Sequence, residues 1–437
     1  MFKDLIQFID SKSVLILGFG REGRSTYDVI RRHLPEKEIG IGDIRDISLS
    51  DEYVKLHCGP NYMDAMKDYE VVIKTPGVSF KGVRVPEGTV VTCQTDLFMH
   101  FSDCLCVGIT GTKGKTTVAT LVYDMLKKGG KNATLVGSIG VPVLDSLEDK
   151  EPEIAVVEMS SHQLEYTTAS PQIAVITNIY PEHPDHYNGF NGYVSAKMNI
   201  AKHQTSDDYL ICNAVQNFDN YCDFSSILST VIKTTSYSPE YAPFIDAAEK
   251  NPHLIGRHNK QNVTLAVTVA KCLGIDDSAI VEAIGEFKGI EHRLEPVGIY
   301  KNIFFYEDVT ATIPVATECA VEALKNVDTL IFGGQDVGVS YSEFEDFLSS
   351  CNVRNLIGLP DIGREICADL ANKGCRKNLY LADDMEDAVK TAFSITEKGK
   401  TCLMSPASSS YNVYKNFDHK GNHFKELVKK YGTDNQV

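Results

Sequence analysis

Three scarcities narrow what this chain of 437 residues does. Its twelve cysteines include no C-x-x-C pair and no His/Cys cluster at zinc spacing, which removes a structural zinc site and leaves scattered, reduced thiols. Positive charge is short as well: 43 lysines and arginines face 59 aspartates and glutamates, a formal net charge of −16. Phosphate backbones and anionic bilayers are held by clustered cations, so nonspecific binding to nucleic acid or a membrane surface is excluded. Any phosphorylated substrate must therefore meet local positive charge. No apolar run approaches the ~20 residues that cross a bilayer, and Met1 to Ser11 carries charges without a long apolar core. The expected setting is the cytoplasm, without membrane insertion. Internal repeats, low-complexity tracts and long charged tails are lacking too. At one domain per ~150 residues, the length argues for about three.

What the chain does have is a phosphate cradle. In Gly108-Ile-Thr-Gly-Thr-Lys-Gly-Lys-Thr-Thr117, glycines, lysines and threonines separate a strand signal, Cys104 to Ile109, from apolar residues at helical spacing, Val118 to Leu126. Backbone N–H groups of Gly111, Thr112, Lys113 and Gly114, with the positive end of the helix dipole, suit an anion. Lys115 reaches the outer phosphates of ATP, while Thr116, followed by Thr117, is placed to hold Mg²⁺. The glycines fall at 108, 111 and 114, a slight departure from the usual nucleotide loop. The plain alternative is a Gly-rich turn with an exposed lysine.

The N-terminus offers a second ligand loop. A strand at residues 13–17 runs into Gly18, Phe19, Gly20, Arg21, Glu22 and Gly23, then a helical pattern to about Arg32, and a strand from Glu38 to Gly42 ends at Asp43. Three glycines at this spacing with an acid about 20 residues on match the dinucleotide fingerprint. Two other readings stay open. The turn serves close packing alone, or the chain is an NAD-dependent oxidoreductase, which leaves the ATP loop unexplained. A later strand, Val71 to Lys74, ends in Thr75-Pro-Gly77, and this first unit closes near residue 95.

Strands at Ile154 to Glu158, Ile173 to Asn178 and Tyr209 to Asn213 continue the unit that begins with the ATP loop, as a mostly parallel sheet. Glu158 sits at the strand end, where a carboxylate suits the hard cation Mg²⁺. Asn178-Ile-Tyr-Pro-Glu-His-Pro-Asp185 repeats that logic with Glu182, His183 and Asp185, although any of these also serves as a cap. A third α/β unit has strands at Ile303 to Tyr306, Thr329 to Phe332, Leu356 to Leu359, Leu379 to Leu381 and Cys402 to Met404. Helices are expected at Glu318 to Lys325 and Glu386 to Ser394. The loops Gly333-Gly334 and Ser405 to Ser410 follow its strands.

In order and spacing, the ATP loop, Glu158-Met-Ser-Ser-His-Gln-Leu-Glu165, Asn178 to Asp185, Gly256-Arg-His-Asn-Lys-Gln-Asn262, His292-Arg293 and Ser405-Pro-Ala407 resemble the Mur ligases of peptidoglycan synthesis. The similarity covers nearly the whole chain. The glycine fingerprint, the Ser-Ser-x-Gln-Leu-Glu motif and Tyr414-Lys-Asn-Phe417 point to the branch that joins D-glutamate to UDP-N-acetylmuramoyl-L-alanine. What the resemblance implies is a three-domain α/β protein: a Rossmann-like domain over 1–95 for the uridine nucleotide, a central P-loop ATPase domain over 96–291, and a Rossmann-like domain over 292–437 that brings the amino acid.

The resemblance also assigns roles. Lys115, His183 and Lys197 would be catalytic, and Thr116, Glu158, His183 and a carbamylated Lys197 would form the metal site. Asn259 and Asn262 match positions facing adenine, and Arg293 and Asp308 match others contacting ATP. Residues 18–23, Asp43, Ser138, Ser160, Thr312, Ser405 and Phe417 match substrate-contacting positions. The implied protein is a monomeric, ATP- and Mg²⁺-dependent ligase of cell-wall biogenesis, tied to cell shape and division.

The departures concern the amino acid. In the family pattern Asp-Ser-Lys-Ala-Thr-Asn the lysine falls at Thr310 and the asparagine at Ile313, and Val337 stands where a second lysine is expected. Losing one charged partner of a buried substrate carboxylate costs on the order of ~2–5 kcal/mol. Lys415 or Lys420 from the last helix would compensate. Otherwise the acceptor is another amino acid, or the chain is a noncatalytic relative.

Overall fold

The computed structural model describes residues 2–137, 141–147, 152–184, 186–216, 218, 224–324, 326–336, 338, 340–409 and 413–433. Ser138, Asp185, Val337 and Ser410 lie outside them. By packing, the chain forms a first unit, Met1–Ala247 with Gln261–Gly285, and a second, Ala248–Lys260 with Glu286–Val437.

The first unit contains two sheets. The N-terminal one is built from β1 (Val14–Leu17), β2 (Ile39–Asp43), β3 (Val54–Cys58), β4 (Val71–Lys74) and β5 (Val90–Thr92), in the order β3-β2-β1-β4-β5, all parallel. The next comprises β6 (Leu105–Thr110), β7 (Ala133–Val136), β8 (Ile154–Glu158), β9 (Ile173–Ile176), β10 (Tyr209–Asn213) and β11 (Thr230–Thr234). Its order is β11-β10-β9-β6-β8-β7, again all parallel. Parallel strands are covered on both faces, so their sequences are continuous apolar runs; Val14 to Leu17 and Ile173 to Ile176 are buried at every position.

The helix Lys115–Lys128 shows how the second sheet is covered. Val118, Ala119, Leu121, Val122, Met125 and Leu126 recur at helical spacing and are all buried. Complete burial of each large aliphatic stabilises by roughly 1.5–3 kcal/mol. Lys127 and Lys128 in the last turn complement the helix dipole, and Gly129 ends the helix.

The second unit holds β12 (Glu295–Tyr300), β13 (Ile303–Glu307), β14 (Val327–Gly334), β15 (Asn355–Asp361), β16 (Asn378–Leu381) and β17 (Thr401–Met404), in the order β12-β13-β17-β14-β15-β16. Only β12 runs antiparallel, pairing with β13 through a bulge between Pro296 and Gly298. The expected helices appear as Pro314–Ala323 and Met385–Ile395.

Most expected strands form within a residue or two of their anticipated ends. The strand expected to reach Asn178 stops at Ile176, which frees Thr177 and Asn178 to brace the ATP loop. Five strands carried no usable signal. β3 is largely solvent-facing, β5 has three residues, β7 and β11 are half-buried edge strands, and β12 contains a proline and a glycine. No helix among the described residues is long and apolar enough to cross a membrane.

Candidate active site

The ATP loop leaves β6 at its C-terminal end, where open α/β sheets take ligands. Its shape is fixed from the exit of β9. Thr112 N–H donates to Asn178 O (2.8 Å), Lys113 N–H to Asn178 Oδ1 (2.9 Å), and Thr177 Oγ1 and Asn178 Nδ2 both donate to Lys113 O (2.6 and 2.9 Å). Gly111 has φ +146, and a Cβ there would lie 1.9 Å from Thr177 Oγ1, so glycine alone fits. Thr112 exchanges a hydrogen bond with the buried Tyr193 hydroxyl (2.8 Å).

Three lysines converge on this loop. Lys115 Nζ donates to Gly111 O (3.0 Å) and Thr112 O (3.1 Å), lying across its own loop. Lys197 Nζ, from the helix Phe190–Lys202, donates to Gly111 O (2.8 Å) and sits 4.8 Å from the Tyr193 ring centroid. Burial, reinforced by Lys115, drives the Lys197 ammonium well below the usual lysine range. Lys113 Nζ pairs with Glu182 Oε1 at 2.9 Å. Burial alone would raise Glu182, but Lys113, His183 and Lys115 together hold it down at about 2. Positive charge thus concentrates locally on an acidic protein.

Glu158 ends β8, and its Oε2 is buried with no hydrogen-bond partner. A buried carboxylate oxygen without a donor fits a cation. Glu158 and Glu182 both act electrostatically on the buried Lys197. Thr116, buried in the first helical turn, is on the same loop. These residues suit Mg²⁺, which prefers hard oxygen ligands.

His183 takes a left-handed backbone (φ +56), with its ring 4.6 Å from that of His162, which in turn is 4.2 Å from His186. Burial, then the neighbouring His183 and His186, pushes His162 down to about 2, so it is neutral. His186 Nε2 contacts Glu165 Oε2 at 3.0 Å, and Lys74 Nζ from the end of β4 reaches the same oxygen at 3.3 Å. This Lys74–Glu165–His186 chain was not anticipated from sequence. Glu165 closes the Ser-Ser-x-Gln-Leu-Glu motif, but Lys74 belongs to the other sheet, and nothing local announces the pairing. Ser160 is the N-cap of a short helix, with Gln163 completing a reciprocal capping box.

At the N-terminal fingerprint, Gly18 and Gly23 serve close approach: a Cβ on Gly18 would lie 2.1 Å from Thr75 Oγ1, and one on Gly23 2.1 Å from Gly18 O. Gly20 faces open space. Asp43 was expected to take a ligand's polar groups, yet within the chain it accepts from Phe19 N–H (2.7 Å) and from Arg45 Nε and Nη2 (both 3.0 Å). The Arg45 guanidinium holds Asp43 at about 2. Glu22, beside Arg21 in the first helical turn, has a buried Oε1 without a partner, and burial raises its carboxyl to about 7.

The second unit carries the remaining residues. Asp308 follows β13, accepting from Ser405 Oγ (2.9 Å) and Leu294 N–H (3.1 Å), and burial raises it to about 7. Ser405 is fully buried and also bonds Thr317 Oγ1 (2.9 Å). Thr310 Oγ1 donates to His292 O (2.8 Å), two residues before Thr312, and Phe417 opens the last helix with its ring nearly perpendicular to that of His292, centroids 6.2 Å apart. Asn259 Nδ2 donates to Ile255 O (2.9 Å), and Arg293 N–H to Ile290 O (3.2 Å). In the first unit, Asn262 Oδ1 lies 2.6 Å from where a Gly114 Cβ would be, against the ATP loop.

Comparison with known proteins identifies relatives of the whole chain. Residues 109–270 match the Mur ligase middle domain. The UDP-N-acetylmuramoylalanine–D-glutamate ligase of Clostridium botulinum (strain Langeland) is 31% identical, covering 98% of each chain. That of Acetivibrio thermocellus is 32% identical over 86% of each. Among solved structures, the MurF ligase of Thermotoga maritima in complex with ADP has a TM-score of 0.58 at 16% identity, covering 96% of this chain and 95% of its own; at that identity it speaks for the fold. With such relatives spanning nearly its entire length, the chain belongs to the Mur ligase family, in the branch of the UDP-N-acetylmuramoylalanine–D-glutamate ligases.

Proposed function

We propose that this protein is an ATP-dependent ligase that joins an amino acid, D-glutamate by family default, to UDP-N-acetylmuramoyl-L-alanine in the cytoplasm. The observation that carries the reading is the convergence of Lys115 and Lys197 on Gly111 beside the unpartnered carboxylate oxygen of Glu158. Residues 1–95 are assigned to the uridine nucleotide, 96–291 to ATP and 292–437 to the amino acid.

A carboxylate is a poor acyl donor. Its oxygen attacks the γ-phosphorus of ATP, the bond to ADP breaks, and an acyl phosphate forms. The amine nitrogen then attacks the acyl carbon, phosphate leaves, and the nitrogen gives up a proton as the amide forms. Such chemistry depends on positioning and charge stabilisation. Lys115 and the N–H groups of residues 111–117 hold the phosphates, with Lys113 adding charge. Glu158, Thr116, His183 and carbamylated Lys197 are the residues that would hold Mg²⁺, which supplies further charge neutralisation. The neutral Lys197 amine is the form that adds CO₂, losing a proton to become an anion. Asn259, Asn262, Arg293 and Asp308 are assigned to ATP, and residues 18–23, Asp43, Ser160, Thr312, Ser405 and Phe417 to the other substrates, on the family resemblance.

Phosphate release tests the reading. With ATP, Mg²⁺ and UDP-N-acetylmuramoyl-L-alanine present, one amino acid from a panel accelerates it strongly; indifference to the whole panel refutes the ligase. Retention of Lys115, Glu158, His183 and Lys197 counts against a noncatalytic relative, and family membership leaves the oxidoreductase reading without support.

A further inference from the structure

His183 holds a backbone conformation that an L side chain disfavours. Its φ of +56 lies in the left-handed region, and a non-glycine residue stays there where its surroundings over-determine it. Part of the bracing is local: the N–H groups of His186 and Tyr187 both donate to His183 O, at 3.2 and 3.3 Å. The rest comes from the segment that leaves the N-terminal sheet after β4. Ser79 Oγ donates to His186 O (3.1 Å) and Lys81 Nζ to Pro184 O (3.0 Å), each across more than a hundred positions of sequence.

A buried charge pair makes the third tie. Lys74, the last residue of β4, is 2% exposed, and its Nζ meets Glu165 Oε2 at 3.3 Å. The same oxygen contacts His186 Nε2 at 3.0 Å. The lysine tip lies 5.8 Å from the Phe80 ring centroid and 5.6 Å from that of Tyr166, so an aromatic ring from each side of the junction walls it in. Lys74, Ser79, Phe80 and Lys81 belong to one short segment, which is fixed at its base. A Cβ on Gly18 would lie 2.1 Å from Thr75 Oγ1 and 2.9 Å from Val78 Cγ2, so the fingerprint loop packs flush against it. A buried ion pair adds little net stability over apolar side chains of similar volume, whereas its directional contacts fix where a loop sits.

We propose that Lys74 and Glu165 are positioning residues: together with Ser79 and Lys81 they clamp the loop of His183, so that this histidine is oriented for the reaction from the N-terminal sheet. The part taken by His183 in that reaction rests on the ligase reading above. Neither Lys74 nor Glu165 touches a reacting atom; both act through His186 and the turn that closes on His183 O.

Full-length protein is assayed at saturating Mg²⁺, UDP-N-acetylmuramoyl-L-alanine and D-glutamate with ATP varied. Lys74→Met keeps the apolar stem and removes the charge, and kcat falls at least tenfold while the KM for ATP stays within twofold, because Thr177 and Asn178 brace the ATP loop separately. Lys74→Arg, which keeps the charge, shows a smaller fall. Glu165→Gln lowers kcat as well, and the double variant falls no further than the worse single one, whereas two unrelated structural defects multiply. Ser79→Ala, a minimal truncation, lowers kcat about threefold even if the Lys74 variants fold poorly. Hydrogen exchange followed by mass spectrometry gives a readout independent of turnover: in Lys74→Met the amides of His186 and Tyr187 exchange at least fivefold faster than in the wild type, with residues 111–117 unchanged. In folded variants, unchanged exchange at His186 and Tyr187, or a wild-type kcat despite faster exchange, overturns the clamp, and product formation by the wild type keeps the ligase. Faster exchange in Lys74→Met, with no product from the wild type and any amino acid, keeps the clamp on the loop and removes the ligase.

Discussion

Lys115 and Lys197 donate to the same carbonyl oxygen, that of Gly111, at 3.0 and 2.8 Å. One lysine opens the helix after the ATP loop and the other arrives from a helix 82 positions later by numbering, so the loop backbone registers both side chains at once. Gly111→Ala strikes that registration directly. The new Cβ meets Thr177 Oγ1 at 1.9 Å and Asn178 N at 3.1 Å, in a backbone region hostile to L side chains. Urea denaturation is expected to show a loss of ~2–4 kcal/mol, with ATP affinity reduced more than tenfold. A stability within ~0.5 kcal/mol of wild type, the range of ordinary surface changes, contradicts the geometry.

Burial, and then Lys115, drives the Lys197 pKa well below the usual lysine range, the direction that favours the free amine needed to add CO₂. In ¹³C-bicarbonate the wild type should show a carbamate carbonyl resonance that Lys197→Ala lacks, and purging CO₂ should lower turnover several-fold. An identical spectrum from both proteins eliminates the carbamate.

Glu158→Gln leaves the strand end intact while removing the charge. The Mg²⁺ concentration for half-maximal activity should rise at least tenfold, equivalent to about 1.4 kcal/mol. Folding stability should hold or increase slightly, because a buried, unpartnered carboxylate oxygen is neutralised. An unchanged Mg²⁺ requirement places the cation elsewhere.

Glu22 sets a pH dependence with a defined sign. Burial raises its folded pKa from 4.5 to about 7, against the opposing hydrogen bonds of Gln163 and Gln94 and the charge of Lys74. The folded state therefore binds this proton more tightly, so the contribution to stability is complete below about 4.5 and is lost as pH rises through about 7. Compared with wild type, Glu22→Gln should lose less stability between pH 5 and pH 8, by roughly 2–3 kcal/mol. Parallel urea curves with the same pH difference in both proteins would show that the carboxyl is solvated.

Readability of the sequence follows the range of the interactions. The ATP loop could be read because its glycines, lysines and threonines are contiguous, and the same holds for Glu158 at the end of an apolar run. The bracing of that loop by Thr177 and Asn178, and the pairing of Lys113 with Glu182, join residues more than sixty positions apart. Lys74 ends β4 and Glu165 caps the short helix Ser161–Leu164 some ninety positions later, so only folding reveals them as partners. Asp43 was legible from its spacing after the fingerprint, whereas its in-chain partners, Arg45 two residues on and Phe19 N–H, were not. Edge strands such as β5 and β12 escaped because half-exposed residues, a proline and a glycine dilute the apolar pattern.

Mass spectrometry of the product tests the whole account most directly. Purified protein with ATP, Mg²⁺, UDP-N-acetylmuramoyl-L-alanine and D-glutamate should yield a species heavier than the nucleotide by one amino-acid residue, with ADP and phosphate in equal amounts, and Lys115→Ala of normal fold should yield none. Consumption of ATP without any new amide, across D-glutamate and every other amino acid supplied, would contradict it.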